Sequence, residues 1–418
     1  MFTQGLLSLT NFVVGLCVAK YAEKSEYGIY VILFSTLGIV GNYQNALVNN
    51  PLTVLIHRKG GEEKPLFVSG LGFGQWLFFF PLALLSLVIA LIYASLQQDF
   101  TIVNYLLVLG LASSTYLLRE FLRTVNYAKM RIHLVVKMDA IFVVSVALGL
   151  GILVGLDRVT STVSIAILGI GYLLPSAFGY VYAGDLYVLK WESIRKAMAE
   201  TWQYSKWAMI SVSSYMLQNR GYIYIVSVAL GLQDLADISA ARLFLMPLGL
   251  IVDSSGKMML AKGAEVLNVE GVRRFKRFVL SVTGFLFLLG VVYGGLLWLT
   301  HPVLITSVFG DKYGNLSGLI FLWGINFLIY SLRYPINTAL MACGEFKTLA
   351  GYDVLGGIIT TVTCFILTGA IRGPGAIIAL TIGEMILLSL NMPKLILFFR
   401  RDMRERSIPK EVIGVGVP

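Results

Sequence analysis

The chain has 418 residues, of which 57% are hydrophobic and 13% charged, and its formal net charge is +10. A soluble domain with so little charge would expose a large apolar surface, so the composition favours a protein that resides in lipid. The positive charge does not indicate nucleic acid, because it is divided among six segments beside apolar stretches, where topology and anionic lipid head groups explain it.

Twelve apolar stretches are long enough to cross a bilayer, since a helix needs about 20 residues to span ~30 Å of hydrocarbon. The sequence therefore predicts an all-α integral membrane protein with about 12 transmembrane helices. The predicted spans are residues 3–20, 28–50, 66–95, 103–122, 139–156, 163–184, 206–230, 238–260, 278–300, 316–343, 349–370 and 375–398.

The basic residues predict how these spans are oriented. Of 33 Lys and Arg residues, 25 fall on alternate connections, five on the other connections and three inside the stretches. Positive charge is retained on the cytoplasmic side. We therefore expect a multi-pass protein of the cell inner (cytoplasmic) membrane with both termini in the cytoplasm. The five outer residues are Lys20, Lys24, Arg158, Lys312 and Arg372, and the three inside the stretches are Arg220, Arg242 and Arg333.

The N-terminal residues read as the first span and not as a cleavable signal peptide, because residues 2–19 lack a basic n-region. The chain opens into that span with almost no leader, as expected of a trimmed terminus. Cys17, Cys343 and Cys364 are isolated, so neither a metal centre nor a disulfide framework is expected. The sequence carries no nucleotide-binding glycine motif and implies no cofactor.

Span two carries a row of amides. Asn42, Asn45 and Asn49 occupy positions i, i+3 and i+7, which lie on one face of a helix. Amides suit sugar hydroxyls, because they donate and accept hydrogen bonds, but in a bilayer they also hold helices together. Both a substrate-binding cavity and interhelical packing remain open, and Pro51 is expected to loosen this helix at its cytoplasmic end.

A pattern after span four recurs after span ten. Each copy reads Arg, a short gap, N-x-A-x-M, a cytoplasmic turn and then Asp; the first copy starts at Arg123 and ends at Asp139, and the second runs from Arg333 to Asp353. The Arg-to-Asn gap differs by one residue and the turn by three. Its occurrence at the same place in both halves indicates a duplicated fold, as in transporters built from two repeated lobes.

The stretch 185–205, halfway along the chain, is more polar than the predicted spans on either side of it. Its apolar residues fall near one face of a helix, which predicts a helix that lies along the inner membrane interface. The interpretation is two six-helix bundles related by an internal repeat. The N-terminal lobe would comprise residues 1–184, the linker helix 185–205, and the C-terminal lobe with a short cytoplasmic tail 206–418.

Span seven carries the polar cluster Gln218, Asn219 and Arg220. Arg220 lies 14 residues beyond Lys206, which corresponds to about 21 Å at ~1.5 Å per residue. Charged groups at such depth face a bundle interior or water. The guanidinium fork fits a pyrophosphate, so these three residues are predicted to bind substrate; a structural ion pair of Arg220 with Glu384 is the alternative.

The other deep charges have two interpretations each. Arg242 either reaches toward the interface or contacts substrate. Asp253 either pairs with Lys257 at i, i+4 or couples an ion, and Glu384 is the better coupling candidate because a deep acid can take up H⁺ or Na⁺. Three arginines at the inner ends of spans four and ten either anchor the helices or form a cytoplasmic mouth for an anionic substrate: Arg119, Arg123 and Arg333.

At this point the chain resembles the multidrug/oligosaccharidyl-lipid/polysaccharide (MOP) flippases, and specifically their polysaccharide-transporter, Wzx-like O-antigen flippase branch. The resemblance covers essentially the whole chain. The resemblance rests on three segments: Ala22–Tyr30 between spans one and two, Arg123 to Asp139, and Val308–Tyr313. The last is similar to an "FG-x-x-Y" pattern before span ten.

The resemblance implies a non-enzymatic, monomeric flippase for a polyprenyl-pyrophosphate-linked oligosaccharide. It would move the glycan lipid from the inner to the outer leaflet by alternating access, for cell-surface polysaccharide biosynthesis. Besides this glycan and membrane lipids, H⁺ or Na⁺ and a glycan polymerase or ligase remain open as partners.

Three alternative functions remain open. An ion-coupled multidrug exporter of the same superfamily would share the architecture, but should line its pocket with acids for cationic drugs. A glycan polymerase or ligase would carry a large outer loop, whereas the longest predicted outer connection is residues 301–315. A membrane scaffold would not explain Arg220 at depth.

Overall fold

The computed structural model describes residues 2–61, 63–98, 100–183, 190–314 and 316–407. Within these ranges the chain is helical and contains no strand, which confirms the predicted all-α class. Twelve helices follow one another, and the eighth is bent into two parts. They are α1 (Phe2–Tyr21), α2 (Lys24–Arg58), α3 (Glu63–Gln97), α4 (Thr101–Ala128), α5 (Ile132–Gly155), α6 (Ser161–Ala183), α7 (Trp191–Ala229), α8a (Leu232–Leu243), α8b (Met246–Val269), α9 (Val272–Phe309), α10 (Ser317–Ala342), α11 (Phe346–Ile371) and α12 (Gly373–Ser407).

Length and apolarity agree with a membrane protein. Of the described helices, nine are long and apolar enough to cross a membrane, and the bent pair α8a and α8b would make a tenth. The remaining two, α1 and α7, occupy the places of predicted spans one and seven. Helix α7 is less apolar than most of the others because it contains the charged linker segment from Trp191 onward as well as the polar residues around Arg220.

Two helices extend further than predicted. Helix α2 does not end near Pro51: it passes through a π-helical turn at Asn45–Asn49 and continues to Arg58. Proline is tolerated there because it stands in the first turn of the segment that follows the π-helical turn. Helix α9 continues to Phe309, so most of the predicted outer connection 301–315 is helical.

The chain divides into two compact units. Unit 1 comprises Met1–Met216 and Val226–Ser239, and unit 2 comprises Leu217–Ile225 and Ala240–Pro418. Helix α7 contributes to both, because the predicted linker helix and span seven are one continuous helix from Trp191 onward. Residues 184–189 of the predicted linker region lie outside the described residues. The units therefore divide the chain differently from the predicted lobe boundaries, which remain a prediction.

Each unit packs its last three helices in the same way. In unit 1, α6 lies against α4 and α5; in unit 2, α12 lies against α10 and α11. Helices α3 and α9, the third helix of each half, expose large apolar side chains along much of their length, including Phe80, Leu96, Phe285 and Leu299. Such surfaces are suited to contact with lipid chains.

Candidate functional site

Two arginines of α4 form a buried ionic cluster in unit 1. Arg119 donates from Nη2 to Oδ1 of Asp139 on α5 at 2.6 Å and from Nη1 to Oε1 of Glu120 at 2.6 Å. The Nε of Arg123 lies 3.1 Å from Oδ1 of Asp139. The side chains of Arg119 and Asp139 are only 2% and 1% exposed. Two guanidinium groups therefore face two carboxylates, and the cluster is electrically balanced.

Aromatic rings surround the same cluster. The guanidinium carbon of Arg119 lies 4.6 Å from the ring centroid of Phe142 and 5.8 Å from that of Tyr172. These two rings stack on each other with centroids 4.9 Å apart. A cation over an aromatic face is attracted to the ring, and more so when both are desolvated.

Arg333 forms a second buried ionic cluster, in unit 2. Its Nε and Nη2 donate to the two carboxylate oxygens of Glu384 on α12, the latter at 3.3 Å. Gln218 on α7 is also buried and donates to Oε1 of Glu384 at 3.4 Å. Asp353 on α11 lies close enough to interact electrostatically with Arg333 and Glu384. Glu384 thus binds the guanidinium directly, and the partly exposed Asp353 lies nearby.

These clusters contain the three arginines of the predicted cytoplasmic mouth, which stays a prediction. Arg119 and Arg333 each lie nine positions before the last residue of their helix, Ala128 or Ala342, or about 14 Å along the axis. Together with Arg123 they are buried and paired with carboxylates. Buried charges need such partners because isolated ones are too costly. In the structure described here, the guanidinium groups are consequently held inside the units.

The clusters also correct the register of the internal repeat. Arg119 and Arg333 stand 214 positions apart, and so do Asp139 and Asp353, with no gap between the copies. The repeat therefore matches Arg119 with Arg333, whereas the sequence pattern matched Arg123. The ends of α4 and α10 and the starts of α5 and α11 have the same separation.

Close helix contacts support this register independently. In unit 1, a Cβ added to Gly171 of α6 would collide with Val146 of α5; in unit 2, one added to Gly383 of α12 would collide with Thr360 of α11. Val146 and Thr360 are again 214 positions apart. The last helices, α6 and α12, start 212 positions apart, so the offset between the copies is two residues smaller here. With this offset Tyr172 of unit 1 corresponds to Glu384 of unit 2.

The predicted substrate-binding cluster on α7 is divided by the structure. Arg220 and Asn219 have partly exposed side chains, as a binding role requires. Gln218 is 4% exposed and is engaged by Glu384, so its amide is not available to a substrate. Glu384 itself pairs with Arg333, a partner that the sequence did not predict.

Arg242 lies at the end of α8a in an aromatic setting. Its Nη1 donates to the hydroxyl of Tyr222 at 3.0 Å, and its guanidinium carbon lies 5.1 Å from the ring centroid of Trp323. Both rings are buried while Arg242 is partly exposed. A cation held on aromatic rings in this way keeps its charge and part of its surface available. The polar cluster in span seven includes Tyr222, but nothing in the sequence pattern indicated Trp323.

The amide row on α2 is only partly brought together. Asn49 donates to Oδ1 of Asn45 at 2.8 Å across the π-helical turn, while Asn42 donates back to the carbonyl of Gly38 at 2.7 Å. Asn49 is buried, and Asn42 and Asn45 are partly exposed. Asn42 and Asn45 can therefore still meet a ligand, whereas Asn49 serves the helix interior.

The sequence analysis missed a buried amide pair beside this row. Gln44 of α2 donates to Oε1 of Gln75 on α3 at 2.8 Å and to the carbonyl of Leu117 on α4 at 2.6 Å. Both glutamines are fully buried. The sequence signal for this pair is a polar residue inside each of two apolar stretches. The hydrogen bonds themselves depend on how α2, α3 and α4 pack, which the sequence does not show.

Asp253 on α8b has an exposed carboxylate that accepts a hydrogen bond from the hydroxyl of Tyr330 on α10. The side chain of Lys257, its predicted i, i+4 partner, lies outside the described residues. Asp253 is therefore held by a neighbouring helix and retains an accessible charge.

Comparison with known proteins gives a consistent result for the fold. No protein-family model and no curated protein sequence matches the chain. Among solved structures, the lipid II flippase MurJ in an inward closed conformation has a TM-score of 0.73 at 13% identity, covering 94% of this chain and 86% of MurJ. An inward-facing multidrug resistance MATE family transporter of the MOP superfamily has a TM-score of 0.68 at 12% identity, covering 95% of each chain.

A MOP superfamily transporter from Pyrococcus furiosus, described as having a binding pocket of reverse polarity, has a TM-score of 0.65 at 10% identity, covering 95% of this chain and 93% of its own. The chain has the MOP transporter fold. The predicted resemblance is confirmed at this level of fold, while the polysaccharide-transporter branch remains a prediction.

Proposed function

We propose that the protein is a flippase that moves a polyprenyl-pyrophosphate-linked oligosaccharide from the inner to the outer leaflet of the cytoplasmic membrane by alternating access. The observation that carries this proposal is the fold match with a lipid II flippase over 94% of the chain. Its biological role would be the biosynthesis of a cell-surface polysaccharide, and lipid-linked glycan and membrane lipids would be its partners.

The chemistry of the partly exposed residues supports an anionic substrate. Arg220 and Arg242 offer guanidinium groups, whose planar donors match phosphate oxygens and remain charged at any relevant pH. Asn219, Asn42 and Asn45 offer amides that suit sugar hydroxyls. In this proposal Arg220 of unit 2 holds the pyrophosphate, with Arg242 and Asn219 as further contacts, and the amides of α2 in unit 1 are proposed separately to bind sugar hydroxyls.

The composition of the cluster around Arg333 supports ion coupling. Glu384 is buried against Arg333, and the partly exposed Asp353 lies near both. Two acids beside one arginine leave a negative charge that a proton or a Na⁺ ion would balance, and this balance matters most for the buried Glu384. Glu384 is the proposed coupling residue, and Asp253, whose carboxylate is exposed, is the second candidate.

An ion-coupled multidrug exporter is the alternative function. The fold match with a MATE family transporter favours it, as does the exposed carboxylate of Asp253, which could attract a cationic drug. The deep guanidinium groups oppose it, because they would repel such a drug.

Transport in vesicles tests the proposal. Purified protein is reconstituted with radiolabelled undecaprenyl-pyrophosphate N-acetylglucosamine, and transfer between leaflets is followed. Arg220→Ala should abolish transfer with insertion unchanged, and Arg220→Lys should retain part of it, because a lysine keeps the charge but not the planar fork. The control is Arg274→Ala, which removes an exposed arginine paired with Glu270. Normal transfer by Arg220→Ala would show that the assigned role is wrong.

The same vesicles separate the alternatives. Imposed proton or Na⁺ gradients should accelerate transfer in the unmodified protein and not in Glu384→Gln. Ethidium uptake without transfer of the glycan lipid would favour the drug exporter.

A further inference from the structure

One face of the first part of α7 is packed closely against unit 1. A Cβ added to Gly70 of α3 would overlap with the backbone carbonyl oxygen of Ser193. One turn further along α3, a Cβ added to Gly74 would overlap with the side chain of Met198. The start of α7 therefore lies directly on α3. The buried residues of this face follow one side of the helix; they are Ile194, Ala197, Thr201 and Ser205.

This contact fixes the depth of the segment in the membrane. Gly70 and Gly74 lie four and eight residues into predicted span three, which begins at residue 66. At ~1.5 Å per residue they are about 6–12 Å from the edge of that span. The start of α7 is therefore at the boundary between lipid head groups and hydrocarbon, on the side of the basic clusters, which is the predicted inner face.

A second face of the same segment is held by ion pairs. The Nζ of Lys59, which follows α2, lies 2.8 Å from Oε2 of Glu200. The Nζ of Lys196 lies 3.8 Å from Oε1 of Glu63, the first residue of α3. The charged residues on this face thus have partners of opposite charge in unit 1.

A third face carries large aromatic and basic side chains that the protein leaves uncovered. Trp191 and Trp202 are 66% and 47% exposed, and Arg195 and Lys206 are exposed as well. At ~100° per residue the four positions fall within about 60° of one another, so they form one stripe along the helix, the α7 stripe. Within the part of the chain that the structure describes, neither Arg195 nor Lys206 forms an ion pair, in contrast to Lys196.

The α7 stripe has the chemistry of a surface that meets acidic lipid. Indole rings favour the head-group level of a bilayer, because the ring is apolar and its N–H group is polar. A guanidinium group offers donors that match phosphate oxygens. Since Arg195 and Lys206 lack a carboxylate partner in the described protein, the phosphate of an anionic lipid can supply the opposite charge.

We propose that the α7 stripe is a binding site for anionic phospholipids of the inner leaflet. Arg195 lies between the two indoles along the helix and holds the phosphate of one lipid. Lys206 holds that of a second lipid, because 11 residues, or roughly 16 Å, separate the two cations. Trp191 and Trp202 lie beside the first carbons of the acyl chains. The site is independent of the proposed transport, because lipid binding is measured without any transfer between leaflets.

Native mass spectrometry of the full chain in detergent tests the site. Dioleoylphosphatidylglycerol and dioleoylphosphatidylcholine are titrated separately, since they have the same acyl chains and differ in net charge. The unmodified protein should bind the phosphatidylglycerol more tightly. Arg195→Ala with Lys206→Ala should weaken that binding by about fivefold or more and leave binding of the phosphatidylcholine nearly unchanged. Equal binding of both lipids by the unmodified protein would overturn the proposal.

A charge-matched control separates a site from general attraction to a basic protein. Lys196→Ala with Lys262→Ala also removes two cations, but these are paired with Glu63 and Glu265. This variant should keep the preference for phosphatidylglycerol, and an equal loss would contradict the α7 stripe. Inorganic phosphate should not displace the lipid, because it has no chains to place beside the indoles. Displacement by phosphate would show a site for free anions and overturn the assignment to lipid.

Hydrogen exchange in nanodiscs shows where the lipid binds. Replacing part of the phosphatidylcholine by phosphatidylglycerol should slow exchange of the backbone N–H groups of residues 191–206 in the unmodified protein. The same replacement should have no such effect in Arg195→Ala with Lys206→Ala. Slower exchange confined to other helices would place the acidic lipid elsewhere and contradict the proposal.

Discussion

Individual arginines in this protein have different roles that follow from their surroundings. Arg119 and Arg333 are buried and matched by carboxylates from neighbouring helices, whereas Arg220 and Arg242 are partly exposed. A buried guanidinium that is paired with carboxylates has no surface for a ligand, whereas a partly exposed one can meet an anionic ligand. Depth in the membrane, which is what the sequence reveals, does not distinguish the two.

The buried pair of Arg119 and Asp139 predicts a large, non-additive effect on stability. Arg119→Ala leaves Asp139 buried without its closest cation, and removal of one partner of such a pair costs about 3–5 kcal/mol. The double variant Arg119→Ala with Asp139→Ala should lose less than the sum of the single variants, because no uncompensated charge remains. The midpoint of thermal unfolding in detergent measures both.

An exposed pair provides the control for this experiment. Lys262 and Glu265 lie 3.0 Å apart with side chains 51% and 59% exposed, so Lys262→Ala should cost only about 0–1 kcal/mol. Equal losses in Lys262→Ala and Arg119→Ala would contradict the assignment of Arg119 to a buried ionic cluster.

Sequence could identify the charged residues of the site but not how they pair. Glu384 was found because it stands alone inside an apolar stretch, and Arg333 because it lies in span ten. Their contact depends on which faces α10 and α12 turn toward each other, which a single sequence does not encode locally. Arg119 was misplaced for a related reason: counting basic residues near helix ends treats a buried arginine as a topological anchor.

At the level of elements, the two halves repeat a close crossing between their fifth and sixth helices. Gly171 meets Val146 in unit 1, and Gly383 meets Thr360 in unit 2. Small residues at such crossings allow helices to approach closely and gain packing energy, which matters in a membrane where apolar side chains gain little by leaving lipid.

Gly383→Ala should consequently destabilise the crossing of α11 and α12. The new methyl group would overlap with the hydroxyl oxygen of Thr360, and both helices would have to shift. Thr360→Ala in the same chain removes that hydroxyl group and should restore most of the lost thermal stability. Gly369→Ala on α11 is the matched control, since no atom lies within 4 Å of its added Cβ. Rescue failing while the control behaves like the unmodified protein would show that the crossing is not as close as described.

The number and order of the helices could be predicted, whereas their exact ends and bends could not. Apolar length gave all twelve helices because lipid imposes a minimum span. The π-helical turn in α2 and the break between α8a and α8b arise from packing and from Pro247, and Pro51 did not end its helix because it falls within the first turn of a new segment.

For the whole molecule, the repeat, with an offset of 214 positions in α4 and α5 and 212 positions in α6, reveals a chemical asymmetry between the units. The two units share an arginine, an aspartate and a glycine crossing at matching positions, yet the position of Tyr172 in unit 1 is taken by Glu384 in unit 2. Among the described residues, the cluster of unit 1 has two arginines, two acids and aromatic rings, whereas in unit 2 Glu384 and the partly exposed Asp353 lie near one arginine. This asymmetry is consistent with the proposed ion coupling.

The orientation of the whole chain is a further prediction, since it follows from the basic residues alone. Single cysteines in a variant lacking Cys17, Cys343 and Cys364 report on it in intact cells through a membrane-impermeant maleimide. Lys129→Cys and Glu270→Cys lie beside basic clusters and should react only after the cells are opened. Asp157→Cys and Asp311→Cys lie on connections with little positive charge and should react from outside, because positive charge is retained in the cytoplasm.

A reversed labelling pattern would show that the basic clusters lie at the outer face. The direction of transport would have to be reassigned with it, because a glycan lipid that enters from the inner leaflet needs the inner side open first. A mixed pattern, with positions 129 and 157 labelled from the same side, would contradict the crossing of α5, which is the only described helix between them. The labelling experiment therefore tests orientation and the number of crossings separately.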